Sequence, residues 1–412
     1  MDMAIVRMNR NLNFARLHTF AVAPPTWLVL VAGAAILALR RPDQIANPQL
    51  WAEDGIFFFQ ARELGWRAFT LELAGYFQLA PRATAALASL VDPAWVPHVF
   101  VGCTVAGTLY VMSRALSPRS TLPLRAASAL AIVLVPDASE VMLNSGNIQW
   151  VLAMGYVLLL LSTDPARRTQ WLHDIGAAIM FGLSGPFSVL MTPFFAWRAA
   201  MRRTRPSAIL ALVVAACALV QVASILAHPQ PVPANPTLDA TAMAAFPGLR
   251  VAGGVLPGSW LLSMGPGKVA IVFSLMVLGV VAVLGLSDGE HRWERRVLAA
   301  VFCAFLASTY YRCWHSMPVL CLPANADRYV FPLQLTLLWL LLASVRHRSR
   351  LWRVTAIGAA AWMVIFNVPR LRIAALPDRR WGDYAPKLRA GEEVTIPINP
   401  AGWTFTFPER KR

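Results

Sequence analysis

The sequence predicts an all-α bundle of membrane-spanning helices, and three observations carry that prediction. Hydrophobic residues make up 57% of the 412-residue chain and charged residues only 14%, whereas a soluble domain carries about 25% charged residues. Apolar runs recur between residues 27 and 368, and a run of about 18 such residues is long enough to cross a bilayer. Arginines gather in short clusters between these runs, which is the pattern that orients membrane helices.

Charge and cysteine usage argue against two other classes of protein. The net charge of +16 would suit nucleic acid, but the basic residues lie between apolar runs and form no continuous stripe. We therefore expect no nucleic-acid partner. None of the five cysteines forms a C-x-x-C pair, so a zinc or redox site has little support. Cys313 and Cys321 share one predicted external loop, where a disulfide would be able to form.

Apolar length and arginine clusters together predict about nine full crossings. Their expected bounds are 24–39, 95–113, 122–136, 148–162, 207–227, 269–286, 297–310, 329–345 and 352–368. Arg7, Arg10 and Arg16 precede the first run, so we expect an uncleaved first helix with a cytoplasmic N-terminus.

The crossings divide the chain into a membrane domain and a tail. We expect the transmembrane domain to cover residues 1–368, with a first external loop at 40–94, and the external C-terminal tail to cover 369–412. The tail segment 395–403 is too rich in proline for a helix. It is predicted to fold over the external face as a strand or lid, or simply to pack there.

One apolar segment, residues 174–197, does not fit a single crossing. Arginines lie at both of its ends, at 167–168 and 198–205, so a single crossing would leave one cluster outside. The sequence Leu-Ser-Gly-Pro-Phe at 183–187 also interrupts a helix. A broken re-entrant pair of short helices, entering and leaving on the cytoplasmic side, satisfies both facts, since irregular backbone is tolerated where protein covers it.

The distribution of acidic residues separates the function classes. No predicted span has Asp or Glu in its interior, whereas a proton- or sodium-coupled transporter ordinarily needs such groups. Glu53 and Asp54 instead stand together in the first external loop, followed by Gly55 and an aromatic run. One of the two acids could face a cavity. The alternative is a solvated loop in which Asp54 caps a helix over 56–64.

Other external segments carry groups suited to sugar and phosphate. The candidates for sugar or acceptor contacts are Tyr76, Glu140, Asn144, Asn147, Gln149, Trp150 and Asp327. Arg82 and Arg328 suit a phosphate, because a guanidinium donates two parallel hydrogen bonds. The alternatives are a helix cap with an interfacial tryptophan, a snorkelling arginine and an interfacial Asp327–Arg328 salt bridge.

Five short motifs, taken in order, resemble those of the GT-C superfamily of membrane glycosyltransferases. They are Ala-Glu-Asp-Gly at 52–55, Tyr-Phe and then Pro-Arg within 76–82, Asn-x-Gln-Trp at 147–150, Ser-Gly-Pro-Phe at 184–187 and Asp-Arg-Tyr at 327–329. With the proline-rich tail, the resemblance extends from residue 51 to residue 403.

The resemblance implies an enzyme of the bacterial inner membrane whose site faces the external side. Its implied partners are membrane lipids and a polyprenyl-phosphate sugar donor, and transfer to a hydroxyl acceptor would invert the anomeric carbon. Asp54 or Glu53 would be the general base, with Asp54 favoured because it adjoins Gly55. Arg82 and Arg328 would hold the departing phosphate.

The resemblance says less about the cofactor and the acceptor than about the donor and the reaction. No cofactor is certain, although some members bind a divalent metal through acids from several loops, and Glu140 could help to hold one here. The chain lacks the large soluble C-terminal domain of the best-known members. That departure favours a small or lipid-linked acceptor, whose identity the sequence does not give.

Two other function classes remain open. A non-coupled flippase or transporter of a lipid-linked sugar would use the same external polar groups for binding only. A structural or assembly protein of the membrane would need none of them. Conversion of donor and acceptor into a glycosidic product separates the enzyme from both.

Overall fold

The structure, a computed structural model, describes residues 24–231, 236–254 and 260–409. It is 70% helical, which confirms the predicted all-α class. The basic residues Arg7, Arg10 and Arg16, on which the predicted cytoplasmic N-terminus depends, lie outside the described residues.

Nineteen α-helices and one two-stranded sheet form in the described part of the chain. The helices are α1 Thr26–Arg40, α2 Pro42–Ala46, α3 Glu53–Leu64, α4 Leu79–Ala88, α5 Val96–Leu116, α6 Arg125–Leu134, α7 Ile148–Leu160, α8 Arg168–Gly182, α9 Phe187–Arg202, α10 Arg205–Ala227, α11 Ala240–Phe246, α12 Trp260–Ser263, α13 Lys268–Leu286, α14 Arg292–Cys313, α15 Met317–Leu320, α16 Asp327–Ala343, α17 Arg350–Ile365, α18 Val368–Leu371 and α19 Trp381–Ala390. The antiparallel strands β1 (Val394–Ile398) and β2 (Trp403–Phe407) follow.

Each predicted span coincides with a helix, because long apolar runs fold as helices when no backbone polar group can be left unpaired. Among the described residues, four helical stretches are long and apolar enough to cross a membrane by length and composition. They are Pro93–Leu116, Arg205–Ala227, Lys268–Leu286 and Arg292–Leu320, with mean hydropathy between 1.4 and 2.9. The apolar helices α1, α6 and α7 are shorter, at 10–17 residues. These helices are those of a membrane protein.

Contacts between connecting segments define one end of the helix bundle, which we call the arginine-rich end (residues 114–125, 161–168, 198–205 and 287–296). Here Arg119 donates to the carbonyl of Thr163, and Arg202 donates to the carbonyl of Ser162 at 2.8 Å. The rings of Trp197 and Trp293 meet at a centroid distance of 4.5 Å. The loops that the sequence predicts to be cytoplasmic therefore gather at one place.

The opposite end, which we call the site end, brings together residues 47–82, 135–150, 183–187, 320–329 and 366–407. Its connections are made by the backbone as well as by side chains. The N–H of Leu79 donates to the carbonyl of Leu183 at 2.8 Å, and the N–H of Ile373 donates to the carbonyl of Arg40 at 2.9 Å. The first loop and the tail, both predicted to be external, thus lie at the same end.

Helices α8 and α9 form the predicted broken pair. Arg119 binds Asp174 in α8, and Arg202 in α9 binds Asp164, so both outer ends of the pair lie at the arginine-rich end. The break between them lies at the site end, where Ser184 accepts a hydrogen bond from the Ala80 N–H at 3.0 Å. The pair therefore forms a hairpin whose irregular turn meets the first loop.

The core of the bundle is built around α7 and α16. Every residue of α7 is buried, and α16 is buried along nearly its whole length. Both sequences are hydrophobic on all sides, which is the composition of a helix surrounded by other helices. Trp339 in α16 is fully buried, and its indole N–H donates to the carbonyl of Ser128 at 2.8 Å.

A second, smaller core joins the tail to the first loop. Its members are Leu50, Phe57, Phe58, Ala61, Ala85, Ala88, Val96, Phe100, Trp381, Leu388, Val394, Ile396, Ile398 and Phe407. The predicted tail strand is confirmed as β1, whose side chains alternate between buried and outward positions. The tail thus packs directly on α3, the helix that carries the acid pair.

The disulfide that the sequence allowed between Cys313 and Cys321 does not form, and both thiols are free. Each cysteine is buried against a different neighbour. The Cys321 thiol lies 3.5 Å from the carbonyl oxygen of Ala242, while Cys313 ends α14 beside Tyr329. Packing, which apolar cysteines commonly provide, is therefore the role of both residues.

Candidate functional site

The acid pair begins helix α3 instead of preceding it. The prediction that Asp54 caps a helix over 56–64 is wrong, because the helix starts at Glu53 and Ala52 occupies the cap position. One Asp54 oxygen accepts a hydrogen bond from the Trp51 N–H at 2.9 Å. Negative charge at this position is favoured by the dipole of the helix N-terminus.

Asp54 is buried, with 3% of its surface exposed. Its Oδ1 atom has no hydrogen-bond partner among the described residues. The backbone N–H of Gly146 approaches the carboxyl without completing a hydrogen bond. Burial raises the pKa of Asp54 to about 8, against the hydrogen bond from Trp51, and the neighbouring charge of Glu53 raises it further. The side chain is therefore a carboxyl with an unused oxygen and a pKa near neutrality.

Glu53 is partly exposed and faces the turn at residues 144–147. A Cβ added to Gly146 would lie 3.5 Å from Glu53 Oε2 and 3.9 Å from Asp54 Oδ1. The turn at Gly146 therefore lies close to both acids. Glu53 also interacts electrostatically with Arg328 and with Tyr76.

The turn after α6 holds the predicted sugar-contact residues in one network. Asn144 Oδ1 accepts from the Asn147 N–H at 3.3 Å, and Asn147 Nδ2 donates to the carbonyl of Glu140 at 3.0 Å. Gln149 Nε2 donates to the Tyr76 hydroxyl at 3.3 Å. These five predicted residues therefore lie together, next to the acid pair.

Trp150 is packed between aromatic rings. Its indole contacts Tyr329 and Phe187 edge to face, with centroid distances of 5.0 and 4.9 Å. The indole N–H has no hydrogen-bond partner among the described residues. Trp150 links the turn to α16 and to the start of α9.

Arg328 is the accessible cation of the site, with 38% of its side chain exposed. Its Nη1 donates to Glu140 Oε2 at 2.8 Å, and Glu140 Oε1 accepts from the Ala326 N–H at 3.1 Å. The guanidinium also lies over the ring of Tyr329 at 5.3 Å. Because only one of its edges is bound by Glu140, the other can bind an anion.

Arg82 has different surroundings from those the sequence predicted. It is buried, donates to Gln60 Oε1 at 2.8 Å and to the carbonyl of Glu72 at 3.3 Å, and lies over Phe57 at 5.3 Å. Burial lowers its pKa to about 10, and the charge of Glu72 partly opposes that effect. These contacts fasten α4 to the first loop, so the phosphate-binding assignment of Arg82 has no geometric support.

Asp327 is also engaged elsewhere. One of its oxygens binds Arg250, and the other accepts from the N–H and the hydroxyl of Ser139. Arg250 is itself fully buried and donates to the carbonyls of Leu320 and Leu322. The predicted sugar contact of Asp327 is therefore not supported, and the predicted Asp327–Arg328 salt bridge does not form. Asp327 instead pairs with buried Arg250, and its bonds to Ser139 join the segment at 137–140 to α16.

Gln221 is a site-forming residue that the sequence reasoning missed. Its side chain donates to the carbonyls of Phe77, Gly182 and Gly185 and accepts from the Phe77 N–H at 2.9 Å. It thereby joins the loop that carries Tyr76 to the break between α8 and α9. The sequence signal that indicates Gln221 is an amide side chain inside an otherwise apolar span.

A lateral apolar groove opens beside the site. Its volume is about 280 Å³, and its lining comes from α4, α5, α7 and α8. Its lining includes Ala80 and Ile148, the residue that follows Asn147, together with Tyr110 and Phe181. The second cavity, of about 460 Å³, lies at the arginine-rich end. Neither of these two cavities is lined by the acid pair.

Metal binding has no direct support from the geometry. Among the described residues, no group of three or more His, Cys, Asp or Glu side chains is arranged to hold a metal ion. Glu140, the residue considered as a ligand, is instead held by Arg328 and by the Ala326 N–H.

The fold and the long apolar helices define a helical membrane protein with a polar site at one end. Comparisons with protein-family models, curated proteins and solved structures give no match to this chain. The geometry of the acid pair and its neighbours therefore carries the functional assignment by itself.

Proposed function

We propose that this chain is a membrane glycosyltransferase that moves a sugar from a polyprenyl phosphate to a hydroxyl acceptor at the external face. One observation carries the proposal. Asp54, a buried carboxyl with an unused oxygen, adjoins Glu53, and the charge of Glu53 acts on the partly exposed guanidinium of Arg328. A base and a cation placed together suit a reaction that takes up a proton and releases an anion.

We propose that all nine predicted spans cross the membrane and that the α8–α9 hairpin enters from the cytoplasm. The short connections at the arginine-rich end carry clustered arginines, and short loops of this kind remain in the cytoplasm. The tail at the site end is also basic, with Arg370, Arg372, Arg379, Arg380 and Arg389, and it opposes this orientation. The site end, with the first loop and the tail, is then external. This orientation gives the protein a cytoplasmic N-terminus and an external C-terminus.

The general base in this proposal is Asp54, with Glu53 as the second candidate. A base must come within hydrogen-bond reach of the acceptor hydroxyl, and its pKa should lie near the working pH. Asp54 has the free oxygen and a pKa raised to about 8 by burial. Glu53 is the more exposed of the two and can orient the acceptor.

Arg328 takes the departing phosphate in this mechanism. The acceptor oxygen forms a bond to the sugar C1 while the bond from C1 to the phosphate oxygen breaks on the opposite face. The hydroxyl proton passes to the carboxylate, and the electron pair leaves with the phosphate. A fixed guanidinium stabilises this growing charge more in the transition state than in the ground state.

The lateral groove supplies a place for the prenyl chain. It is mainly apolar, is lined by several helices and is bordered by Ile148, which follows the polar turn directly. A chain in this groove would keep the phosphate near the water-exposed site and its hydrocarbon in the membrane. Such an arrangement explains why a sugar transferase would be built into a bundle of spans.

The experiment measures turnover by the purified full-length protein in detergent. Polyprenyl-phosphate glucose, mannose, galactose and arabinose are offered as donors with a cell-envelope lipid extract, and glycosylated products are detected by mass spectrometry. We expect product from the wild type and a loss of about 10²–10⁴-fold in Asp54→Asn, the usual worth of a general base. Glu53→Gln is expected to lose activity as well.

Asp92→Asn is the matched control, because Asp92 is an acid of the same loop that is paired with Arg389 on the surface. Full activity in both acid-pair variants would refute the catalytic assignment. Movement of a labelled donor between leaflets of a vesicle without glycosidic product would favour the flippase.

A further inference from the structure

The cavity at the arginine-rich end has the chemistry of an anion site in an apolar frame. It encloses about 460 Å³, within the range of about 300–1,000 Å³ that is usual for small-molecule pockets. Its lining consists of Trp197, Met201, Arg202, Arg292, Trp293 and Arg296. Three guanidinium groups thus share a cavity with two indoles and a thioether, and no acid lines it.

The three arginines differ in what already binds them. Arg202 is held by Asp164 and by the carbonyl of Ser162, both at 2.8 Å. Arg296 makes an exposed pair with Asp288 at 3.3 Å, which is weak. Arg292 is exposed, and no hydrogen bond or ion pair to it occurs among the described residues. Within the described part of the chain, the cavity therefore has one cation without a partner, Arg292, and one that can easily change partner, Arg296.

The indoles add a second, independent indication of a ligand. Trp197 and Trp293 meet at a centroid distance of 4.5 Å and an interplanar angle of 55°. The Trp293 Nε1 atom is buried and has no hydrogen-bond partner among the described residues. A buried donor without a partner is unfavourable, so an acceptor oxygen that enters the cavity would be favoured.

We propose that this cavity binds the phosphodiester headgroup of an anionic phospholipid. Phosphate oxygens suit Arg292, Arg296 and the free indole N–H, because guanidinium and N–H groups are the usual donors to phosphate. Met201, 65% exposed at the end of α9, continues the apolar wall outward toward the region that an acyl chain would occupy. Basic pockets between membrane helices on the cytoplasmic side are typical sites for such headgroups.

The lipid and a free phosphate share the same chemistry, and the apolar walls favour the lipid. The site lies at the opposite end of the bundle from Asp54, so it does not depend on the proposed transfer reaction. Its occupation would fasten α9 to α14 and hold the α8–α9 hairpin against the rest of the bundle.

The test is a thermal-unfolding titration of the full-length protein in a neutral detergent. Phosphatidylglycerol, phosphatidylcholine and inorganic phosphate are added separately to the wild type, and ligand binding to the folded state raises the melting temperature. We expect phosphatidylglycerol to raise it by several degrees and the other two to leave it within about one degree. Added salt should weaken the shift.

Two variants and a control locate the effect. Arg292→Gln removes the free cation, and Trp293→Phe keeps a ring while it removes the N–H. Each is expected to lose at least half of the phosphatidylglycerol shift. Arg350→Gln changes an exposed arginine at the start of α17 that does not line the cavity, and it should keep the full shift. Gel filtration verifies that each variant remains folded and monodisperse.

Three outcomes would overturn the proposal. The first is a phosphatidylglycerol shift no larger than the phosphatidylcholine shift. The second is a full shift in both Arg292→Gln and Trp293→Phe. The third is an equal shift with inorganic phosphate, which would assign the cavity to a free anion instead of a lipid.

Discussion

Two aspartates at opposite ends of the bundle show how the same side chain receives opposite environments. Asp164, at the arginine-rich end, accepts hydrogen bonds from Arg198, Arg202, Thr204 and Ser207. Asp54, at the site end, keeps one oxygen without a partner among the described residues. The first carboxylate is saturated with donors, and the second is not.

The consequence is a pair of opposite pKa shifts. Burial alone would raise the pKa of Asp164, but the hydrogen bonds from Thr204 and the two arginines outweigh it and hold that pKa well below its usual range. Burial raises the pKa of Asp54 to about 8, since too few donors compensate it. A carboxylate with all its oxygens bound holds segments of the chain together, whereas one with an oxygen left over is available for proton transfer. Strongly shifted pKa values mark candidate functional sites.

The largest expected effect is on activity and belongs to the site end. Asp54→Asn removes the proton acceptor, so the transfer rate should fall by about 10²–10⁴-fold. Asparagine resembles the protonated acid in shape and charge, so the melting temperature near pH 4, where the linked loss of stability has hardly begun, should stay within about two degrees of the wild type. Parallel transfer assays and thermal scans provide the measurement. A variant that unfolds, or one that turns over normally, would contradict the contrast with Asp164.

The next effect is on stability and belongs to the arginine-rich end. Asp164→Asn removes the charge that neutralises Arg198, which is only 1% exposed. A buried guanidinium left without its carboxylate costs about 3 kcal/mol, so the melting temperature should fall markedly. The residual folded protein should transfer sugar at the normal rate per molecule. A variant as stable as the wild type would show that Asp164 does not hold the segments of the arginine-rich end together.

A third prediction uses pH to separate the two aspartates. The pKa of Asp54 is raised from 3.8 to about 8 in the folded protein. Its contribution to stability is therefore complete below about pH 4 and is lost as pH rises through about 8, at no more than about 1.4 kcal/mol per pH unit. Thermal scans between pH 5 and 8.5 should show a smaller decline in Asp54→Asn, which becomes the more stable protein near pH 8.

Asp92→Asn is the control, because the pKa of Asp92 is shifted in the opposite direction to that of Asp54. The hydrogen bond from Arg389 lowers the pKa of Asp92 below 3.8, so its contribution is lost only as pH falls below about 4. Asp92→Asn should therefore decline in parallel with the wild type between pH 5 and 8.5. A parallel decline of Asp54→Asn and the wild type across the whole pH range would refute the raised pKa.

The sequence predicts the helices better than it predicts the two aspartates. Apolar runs of membrane length become helices wherever they occur, so the bounds of α10 and α13 follow from local composition. Asp54 and Asp164 both stand in polar connections, and neighbouring residues do not distinguish them. Asp164 is followed by Arg167 and Arg168, yet its partners are Arg198 and Arg202, more than thirty residues away.

The same limit applies to the other site residues. Four of the predicted polar groups lie within residues 140–149, and Tyr76 joins them through Gln149. The loop that carries Tyr76 is held by Gln221, which is 144 residues from Phe77. Residue type and position alone predict phosphate contact for Arg82 and sugar contact for Asp327. In the structure, their hydrogen bonds go to other parts of the chain instead. The sequence shows which chemical groups the chain carries. Whether such a group already has a hydrogen-bond partner depends on tertiary contacts between residues that are far apart in the sequence.

The smallest expected effect concerns how the tail holds the acid pair. Asn399 is fully buried, its N–H donates to the carbonyl of Leu50 at 3.2 Å, and its own carbonyl accepts from the Ala52 N–H. Its side chain is fixed by Arg379 at 3.2 Å and by the carbonyl of Pro377 at 3.1 Å. The segment before Glu53 is therefore positioned by the tail, through a residue that lies away from the reacting atoms.

Asn399→Ala removes the two side-chain hydrogen bonds and loosens the segment before Glu53. We expect kcat to fall by about tenfold with KM nearly unchanged, because misplacement of the base weakens the transition state more than substrate binding. Thr395→Ala is the control on β1, the strand that precedes Asn399, since the Thr395 hydroxyl bonds only to exposed Thr406 among the described residues. A rise in KM at constant kcat, or an equal loss in the control, would make the tail a packing element, and the difference between the two ends would then rest on Asp54 and Asp164 alone.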